Sequence, residues 1–372
     1  MAVVTGPLAG LRVLEFGAIG PVPFAAMLLA DMGAEVVQVV RPGPRRDPRD
    51  DPTLRGRCVI VLDLKQAEDQ TAALDLAARA EVLLEGNRPG VMERLGLGPD
   101  TCLAHNPRLV YGRMTGWGQD GPLARTAGHD INFIALTGAL HAIGPAGGAP
   151  VPPLNLVGDY GGGSMFLLFG VLCAVIEARA SGRGQVVDAA MVDGASAMMA
   201  VFHGMAARSG WVPRRGENLL DGGAPWYTTY ETADGGHVAV GALEEPFWKA
   251  LLAGLGIAPD ALPPREDRAA WPVIRAALAQ AFRRGTREEW AERLGPTEAC
   301  VSPVLPLEAV AAHPHMAARR VQQEIGGQLQ PAPAPRLSRT RGAIRPTTEV
   351  PGGAAAVLAR WSAASREEER TG

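Results

Sequence analysis

The sequence predicts an α/β fold: a Rossmann-like large domain on a parallel sheet, plus a smaller α+β domain. Three observations carry this. Short apolar, β-branched runs alternate with helical patterns through the first half of the chain. The opening strand is followed by a Gly/Pro loop, a helix and a second strand, a β-loop-α-β unit that implies a parallel pair. Beyond residue 226 the pattern changes to a hairpin followed by helices.

Each element follows from local signals. Residues 11–16 read as a short buried strand and 17–23 as a loop. Residues 24–32 read as a helix stopped by Gly33, and 34–40 as the second strand. Further strands are expected at 58–62, 82–85 and 109–114, with a helix over 66–80. Residues 164–179 form a long apolar helix pattern, 184–191 a strand or extended segment, and 195–208 a helix. Residues 227–232 and 237–241 alternate around Ala233-Asp234-Gly235-Gly236, a hairpin signal. Helices at 247–255 and 271–282 follow, then a proline-rich extended segment at 328–346 and a terminal helix at 354–363. The expected organisation is a large domain over 1–190, a linker over 191–225, a small domain over 226–320, and a return segment, 321–372, that rejoins the large domain.

Composition excludes several classes of function. With 372 residues, 47% of them hydrophobic, the chain can bury a sizeable core. A formal net charge of -3 provides no electrostatic case for nucleic acid or an anionic membrane. The longest apolar run, 165–176, is shorter than the roughly 20 residues of a helical span. No signal peptide is recognised, and a cytoplasmic protein with no membrane partner is expected. Cys58, Cys102, Cys173 and Cys300 are scattered without metal-ligand spacing, so reduced thiols are expected. Nucleophile-elbow, Walker and H-E-x-x-H motifs are absent, and His313-Pro314-His315 is too constrained for a metal pair. No metal and no separate cofactor are expected.

The loop Gly17-Ala18-Ile19-Gly20-Pro21-Val22-Pro23 is not a dinucleotide fingerprint, because two prolines replace N–H donors. Arg41, after the second strand, suits a phosphorylated ribose or is an ordinary solvated strand end. Lys65, Arg88 and Arg94 are basic groups near other strand ends, where open α/β sheets bind ligands. Singly, each also reads as solvated surface.

Two segments stand out as candidate chemistry. In Gly128-His129-Asp130-Ile131-Asn132-Phe133 a histidine opens a helix. The positive end of the helix dipole favours the neutral imidazole, the form a general base needs. A lone histidine there reads first as a cap or a carbonyl partner. Asp159 precedes Gly161-Gly162-Gly163 and a helix. It is either an N-cap in a glycine turn or a carboxylate beside backbone N–H groups free to hold an oxyanion. Glu244, at the end of the second hairpin strand, reads alone as a surface carboxylate.

An ordered set of motifs connects these residues. It runs from Gly6-Pro7-Leu8-Ala9-Gly10-Leu11-Arg12-Val13 through Leu29-Ala30-Asp31-Met32-Gly33-Ala34-Glu35, Val61-Leu62-Asp63-Leu64-Lys65 and Arg88-Pro89-Gly90-Val91. Met114-Thr115-Gly116-Trp117-Gly118, Gly128-His129-Asp130-Ile131-Asn132, Asn155-Leu156-Val157-Gly158-Asp159 and Asp221-Gly222-Gly223-Ala224-Pro225 complete it. In this order they resemble the family III CoA-transferases, and within that superfamily its racemase branch.

The resemblance implies an interlocked homodimer, with each site between the large domain of one subunit and the small domain of the other. It implies an acyl-CoA thioester substrate and lipid metabolism. It assigns His129 and Asp159 as two acid/base groups, with Glu244 reaching Asp159 from the partner chain. It assigns Arg41, Leu62, Lys65, Arg88 and Arg94 to the CoA phosphates and adenine, with Gly128, Asp130 and Phe133 lining the site. Phe133 stands where the family often has Tyr, and Glu245-Pro246 replaces the usual Pro-x after the glutamate. The implied reaction is 1,1-proton transfer at the methyl-bearing α-carbon of the thioester, through an enolate. Met191, Met198 and Met199 are either an acyl surface or core packing. The alternatives are CoA transfer between carboxylic acids with Asp159 as nucleophile, and non-catalytic acyl-CoA binding.

Overall fold

The structure, a computed structural model, describes residues 5–371 and divides into two units. The larger begins with β1 (Arg12–Phe16), α1 (Pro21–Asp31), β2 (Glu35–Val40), β3 (Arg57–Val61), α2 (Ala67–Ala77) and β4 (Val82–Glu85). It continues with α3 (Val91–Arg94), α4 (Pro99–His105), β5 (Val110–Thr115) and α5 (Asp130–Leu136). The short α6 (Ala139–Ala142) belongs to the second unit. The larger unit resumes with a π-helix (Leu156–Met165), α7 (Phe166–Ser181), β6 (Val186–Ala190) and α8 (Met191–Met198).

The second unit contains α9 (Ala200–Ala207), β7 (Tyr227–Glu231), β8 (His237–Gly241), α10 (Glu245–Leu255), α11 (Trp271–Phe282), α12 (Arg287–Leu294) and β9 (Val301–Pro303). After α13 (Pro314–Ala318) the chain rejoins the larger unit through β10 (Gln322–Ile325), β11 (Gln328–Pro331), β12 (Thr348–Glu349) and α14 (Gly353–Thr371).

The main sheet is parallel, in the order β12-β3-β2-β1-β4-β5-β6. Its first six strands therefore follow the 3-2-1-4-5-6 Rossmann order, and β12 extends the edge. Leu14 of β1 pairs with Val37 of β2 and Leu83 of β4. Alternate strand residues point to opposite faces. Val13, Val36, Val82 and Val110 bury against Ala25, Leu29 and Leu167. Leu14, Val37, Ile60, Leu83 and Tyr111 bury against Leu76, Val357 and Trp361. Both faces are covered, which is why these strands read as unbroken apolar runs.

In the second unit β7, β8 and β9 are antiparallel, with Tyr230 stacked on Phe282 at 5.1 Å. The hairpin forms where the alternation placed it, Tyr227 pairing with Gly241.

Four expectations change. First, α1 begins at Pro21 rather than after Pro23: Gly20 takes φ 76°, and a proline at the first helical position forgoes an N–H that has no partner in a helix anyway. Second, the helix expected from 164 begins at Leu156, as ten residues of π-helix that run into α7. Third, the helix expected at 195–208 within the linker 191–225 is two helices, α8 and α9, the first beginning at Met191. α8 packs in the larger unit because glycines let it approach the π-helix. Fourth, the helical run Leu156–Ser181 is 26 residues and holds an 18-residue window of mean hydropathy 1.8, long and apolar enough to cross a membrane, where the apolar run alone was too short. Half of that window is buried within the chain, while Phe169 and Ile176 remain 70% exposed.

Candidate active site

Asp159 lies in the first turn of the π-helix, half-buried. Its Oδ2 accepts a hydrogen bond from Asn155 Nδ2 at 3.0 Å. The same oxygen faces Gly20: a Cβ there would stand 3.4 Å from it. Gly20 belongs to the loop leaving β1, beside the point where the strand order reverses between β1 and β4, the usual ligand crevice of such sheets. Ser164 Oγ donates to the Pro21 carbonyl at 2.8 Å, and Tyr160 packs on Phe24 with ring centroids 4.6 Å apart. These contacts bind the π-helix to the first turn of α1.

His129 is exposed and takes the N-cap position of α5. Its backbone N–H donates to Asn132 Oδ1 at 3.1 Å, and its carbonyl accepts from the Asn132 N–H at 2.8 Å. Asp130, the next residue, is buried, and its Oδ2 accepts the N–H groups of Gly158 at 2.6 Å and Asp159 at 2.7 Å. One peptide link and one hydrogen bond therefore join His129 to Asp159. Burial pushes the Asp159 carboxyl above the ordinary aspartate value. The Asn155 hydrogen bond opposes this, the Asp130 charge adds to it, and the His129 charge opposes it. A carboxyl so placed is a better proton acceptor than an exposed aspartate.

The glycine triplet has a different role from the one expected. The N–H groups of Gly158 and Asp159 are taken by Asp130, and those of 161–163 are used by the i to i−5 pattern of the π-helix. They are not free to hold an oxyanion. Gly162 is required for packing, since a Cβ on it would fall 2.6 Å from the Ala195 nitrogen. Gly158 is required by Asp130, whose Oδ2 would lie 2.5 Å from a Cβ.

Two residues expected to line the ligand site turn inward. Phe133 is 5% exposed and packs edge-on to Trp117, with centroids 4.8 Å apart. Its ring fills the space left by Gly116 and Gly128, where added Cβ atoms would meet it at 2.0 and 2.7 Å. Asp130 is likewise buried, holding backbone rather than facing solvent. Leu62 is buried in the core at the end of β3.

Arg41, Lys65 and Arg88 stand exposed just beyond β2, β3 and β4, and Arg94 ends α3. All four lie along the carboxyl edge of the sheet. None has an ion-pair partner among the described residues, whereas Arg45 and Arg46 nearby are paired with Glu349 and Asp51. Glu244 is exposed at the N-cap of α10, in the second unit. Residues that sequence reasoning missed are Asn155, Gly20 and Gly158. Asn155 had a signal, the i to i+4 spacing to Asp159; Gly20 and Gly158 had none beyond being glycines in loops.

A parallel sheet in Rossmann order, with cations along its carboxyl edge that have no ion-pair partner among the described residues, defines the class: a Rossmann-like α/β protein. More particularly, the chain belongs to CoA-transferase family III, whose description matches residues 8–353. It is 45% identical over 334 residues to alpha-methylacyl-CoA racemase of Mus musculus, covering 90% of this chain and 87% of that protein. It is 43% identical over 338 residues to the Homo sapiens protein of the same name, with 90% and 87% covered. The crystal structure of Rv3272 from M. tuberculosis superposes with a TM-score of 0.78 at 27% identity, over 95% of this chain and 99% of that one.

Proposed function

We propose that this chain is an isomerase that inverts the methyl-bearing α-carbon of 2-methylacyl-CoA thioesters by 1,1-proton transfer. The observation that carries the reading is the link between the two acid/base candidates. Asp130 follows His129 in the chain and accepts the Asp159 N–H at 2.7 Å, so a histidine and a carboxyl with raised proton affinity share one corner of the sheet. The identity to the racemases supports the substrate class.

The chemistry follows from the thioester. Its sulfur donates little into the carbonyl, so the α-hydrogen is more acidic than that of an oxygen ester. One of His129 and Asp159 removes this proton, and the other returns one to the opposite face. Which group acts first depends on the hand of the substrate. The enolate oxygen requires donors other than the N–H groups of Gly158 and Asp159. Arg41, Lys65, Arg88 and Arg94 bind the phosphates of the CoA portion. The active form is a homodimer in which Glu244 of one subunit reaches Asp159 of the other. The exposed Phe169 and Ile176 of α7 support an apolar interface.

The test is incubation of a single-enantiomer 2-methylacyl-CoA in D2O. The expected result is loss of optical purity with one deuterium gained at the α-carbon. CoA transfer to added succinate or formate without α-exchange, or racemisation without deuterium uptake, overturns the reading.

A further inference from the structure

We infer that Asp130 is the positioning residue that sets Asp159 opposite His129, through its hydrogen bonds to the backbone of the π-helix; this rests on the racemase reading. The residue is 7% exposed. Its Oδ2 spans 28 and 29 residues of sequence to accept two consecutive N–H groups, of Gly158 and Asp159, at 2.6 and 2.7 Å. Both lie in the first turn of the π-helix, where N–H groups have no partner within the helix. Gly158 carries no side chain because a Cβ would occupy the carboxylate's place. Asp130 Oδ1 has no hydrogen-bond partner among the described residues, so the backbone bonds of Oδ2 hold this carboxylate.

The arrangement has a mechanical and an electrostatic consequence. Proton transfer at one carbon from two faces needs both groups held in register, and a 1 Å displacement costs about 100-fold in rate. Asp130 supplies that register, because its own backbone carries His129 and its carboxylate carries Asp159. It also places a second negative charge beside the Asp159 carboxyl, which raises the proton affinity of that group. Of the elements packed against the π-helix, α1 carries only Asp31, paired with Arg55, α8 only the exposed Asp193, and α7 the exposed Glu177 and Arg179 toward its far end, Arg179 being paired with Glu81. Arg113 of β5 is paired with Glu85 and Glu93, and Asp188 of β6 accepts from the Gln119 N–H. The charges acting on Asp159 are therefore those of Asp130 and His129.

Two variants separate the two consequences. Asp130→Ala removes both the acceptor and the charge, and kcat is expected to fall about 100-fold with KM changed less than about 3-fold. Asp130→Asn keeps an oxygen that can accept both N–H groups and removes the charge. Its kcat is expected within about 10-fold of the wild type, and the acidic limb of its pH–rate profile moves to lower pH. Crystal structures of both variants are read in parallel: the turn holding Asp159 is expected to shift in Asp130→Ala and to stay in Asp130→Asn. An Asp130→Ala enzyme with wild-type kcat, or with residues 156–160 in place, overturns the inference. If that variant does not fold, an Asp130→Asn enzyme in which residues 156–160 shift while kcat stays at the wild-type value overturns it. Absence of α-proton exchange in the wild type strikes the racemase reading instead, and the crystal structures still decide the role of Asp130.

Discussion

Gly194 and Gly162 meet backbone to backbone: a Cβ on Gly194 would lie 1.9 Å from the Gly162 carbonyl oxygen. The contact seats α8 on the π-helix that carries Asp159. Gly194→Ala is expected to lower unfolding stability by about 3 kcal/mol, the upper end for overpacking, because the receiving atom is backbone and cannot rotate away. The urea midpoint measures this, and catalytic rate is expected to fall with it because the Asp159 turn must move. An unchanged midpoint contradicts the packing assigned to this pair.

Asp159 couples activity to pH and stability in opposite senses. Burial raises its folded value above the unfolded value of about 3.9. Stability from such a group is present in full below the unfolded value and is lost as pH rises through the folded one. Asp159→Asn removes that loss. The variant is expected to melt at or above the wild-type Tm at pH 7, with the gap closing below about pH 4. Its α-proton exchange is expected to fall by about 100-fold or more. Calorimetry across pH, paired with deuterium uptake, checks both, and a Tm below wild type at pH 7 contradicts the burial argument.

The four cations of the carboxyl edge are expected to act on binding and not on chemistry. Alanine at Arg41, Lys65, Arg88 or Arg94 raises KM for an acyl-CoA, roughly 3- to 10-fold at low salt and less as salt is added. The same variants leave the KM of an acyl-pantetheine thioester, which lacks the nucleotide phosphates, at its wild-type value. An equal effect on both substrates places the ligand elsewhere.

The buried pair of Arg57 and Glu15 is a stability feature. Neither side chain reaches water, and Arg57 also donates to the Arg55 carbonyl at 2.7 Å and the Pro23 carbonyl at 2.5 Å. Arg57→Ala strands a carboxylate in the core and is expected to cost about 3–5 kcal/mol. The double variant Arg57→Met, Glu15→Leu is expected to recover much of that loss, as read from denaturant unfolding. A double variant no better than the single one contradicts a charge-based cause.

The parts legible in the sequence were those set by short-range chemistry. β1 and β2 were visible because strands buried on both faces are continuous apolar runs. The β7–β8 hairpin was visible because alternation and an Asp-Gly turn act within a few residues. His129 and Asp159 stood out by their place at helix starts, but their acid/base roles were assigned only through the ordered motifs, since a histidine or an aspartate at a helix start is commonplace. The π-helix was not legible, because no local propensity distinguishes i to i−5 bonding from an ordinary helix start. Nor was the inward turn of Phe133, which depends on glycines 17 residues before it and 5 before it meeting around one ring.

Local pattern by itself determined the α/β class and the residue types available for proton chemistry, because helix and strand periodicity and turn chemistry depend on neighbours a few positions apart. Tertiary structure decided which of those residues meet. Asp130 reaches the backbone of residues 158 and 159, and glycine at 158 and 162 admits a carboxylate and a helix. Such contacts join segments about thirty residues apart, and their geometry exists only once the core has packed around them.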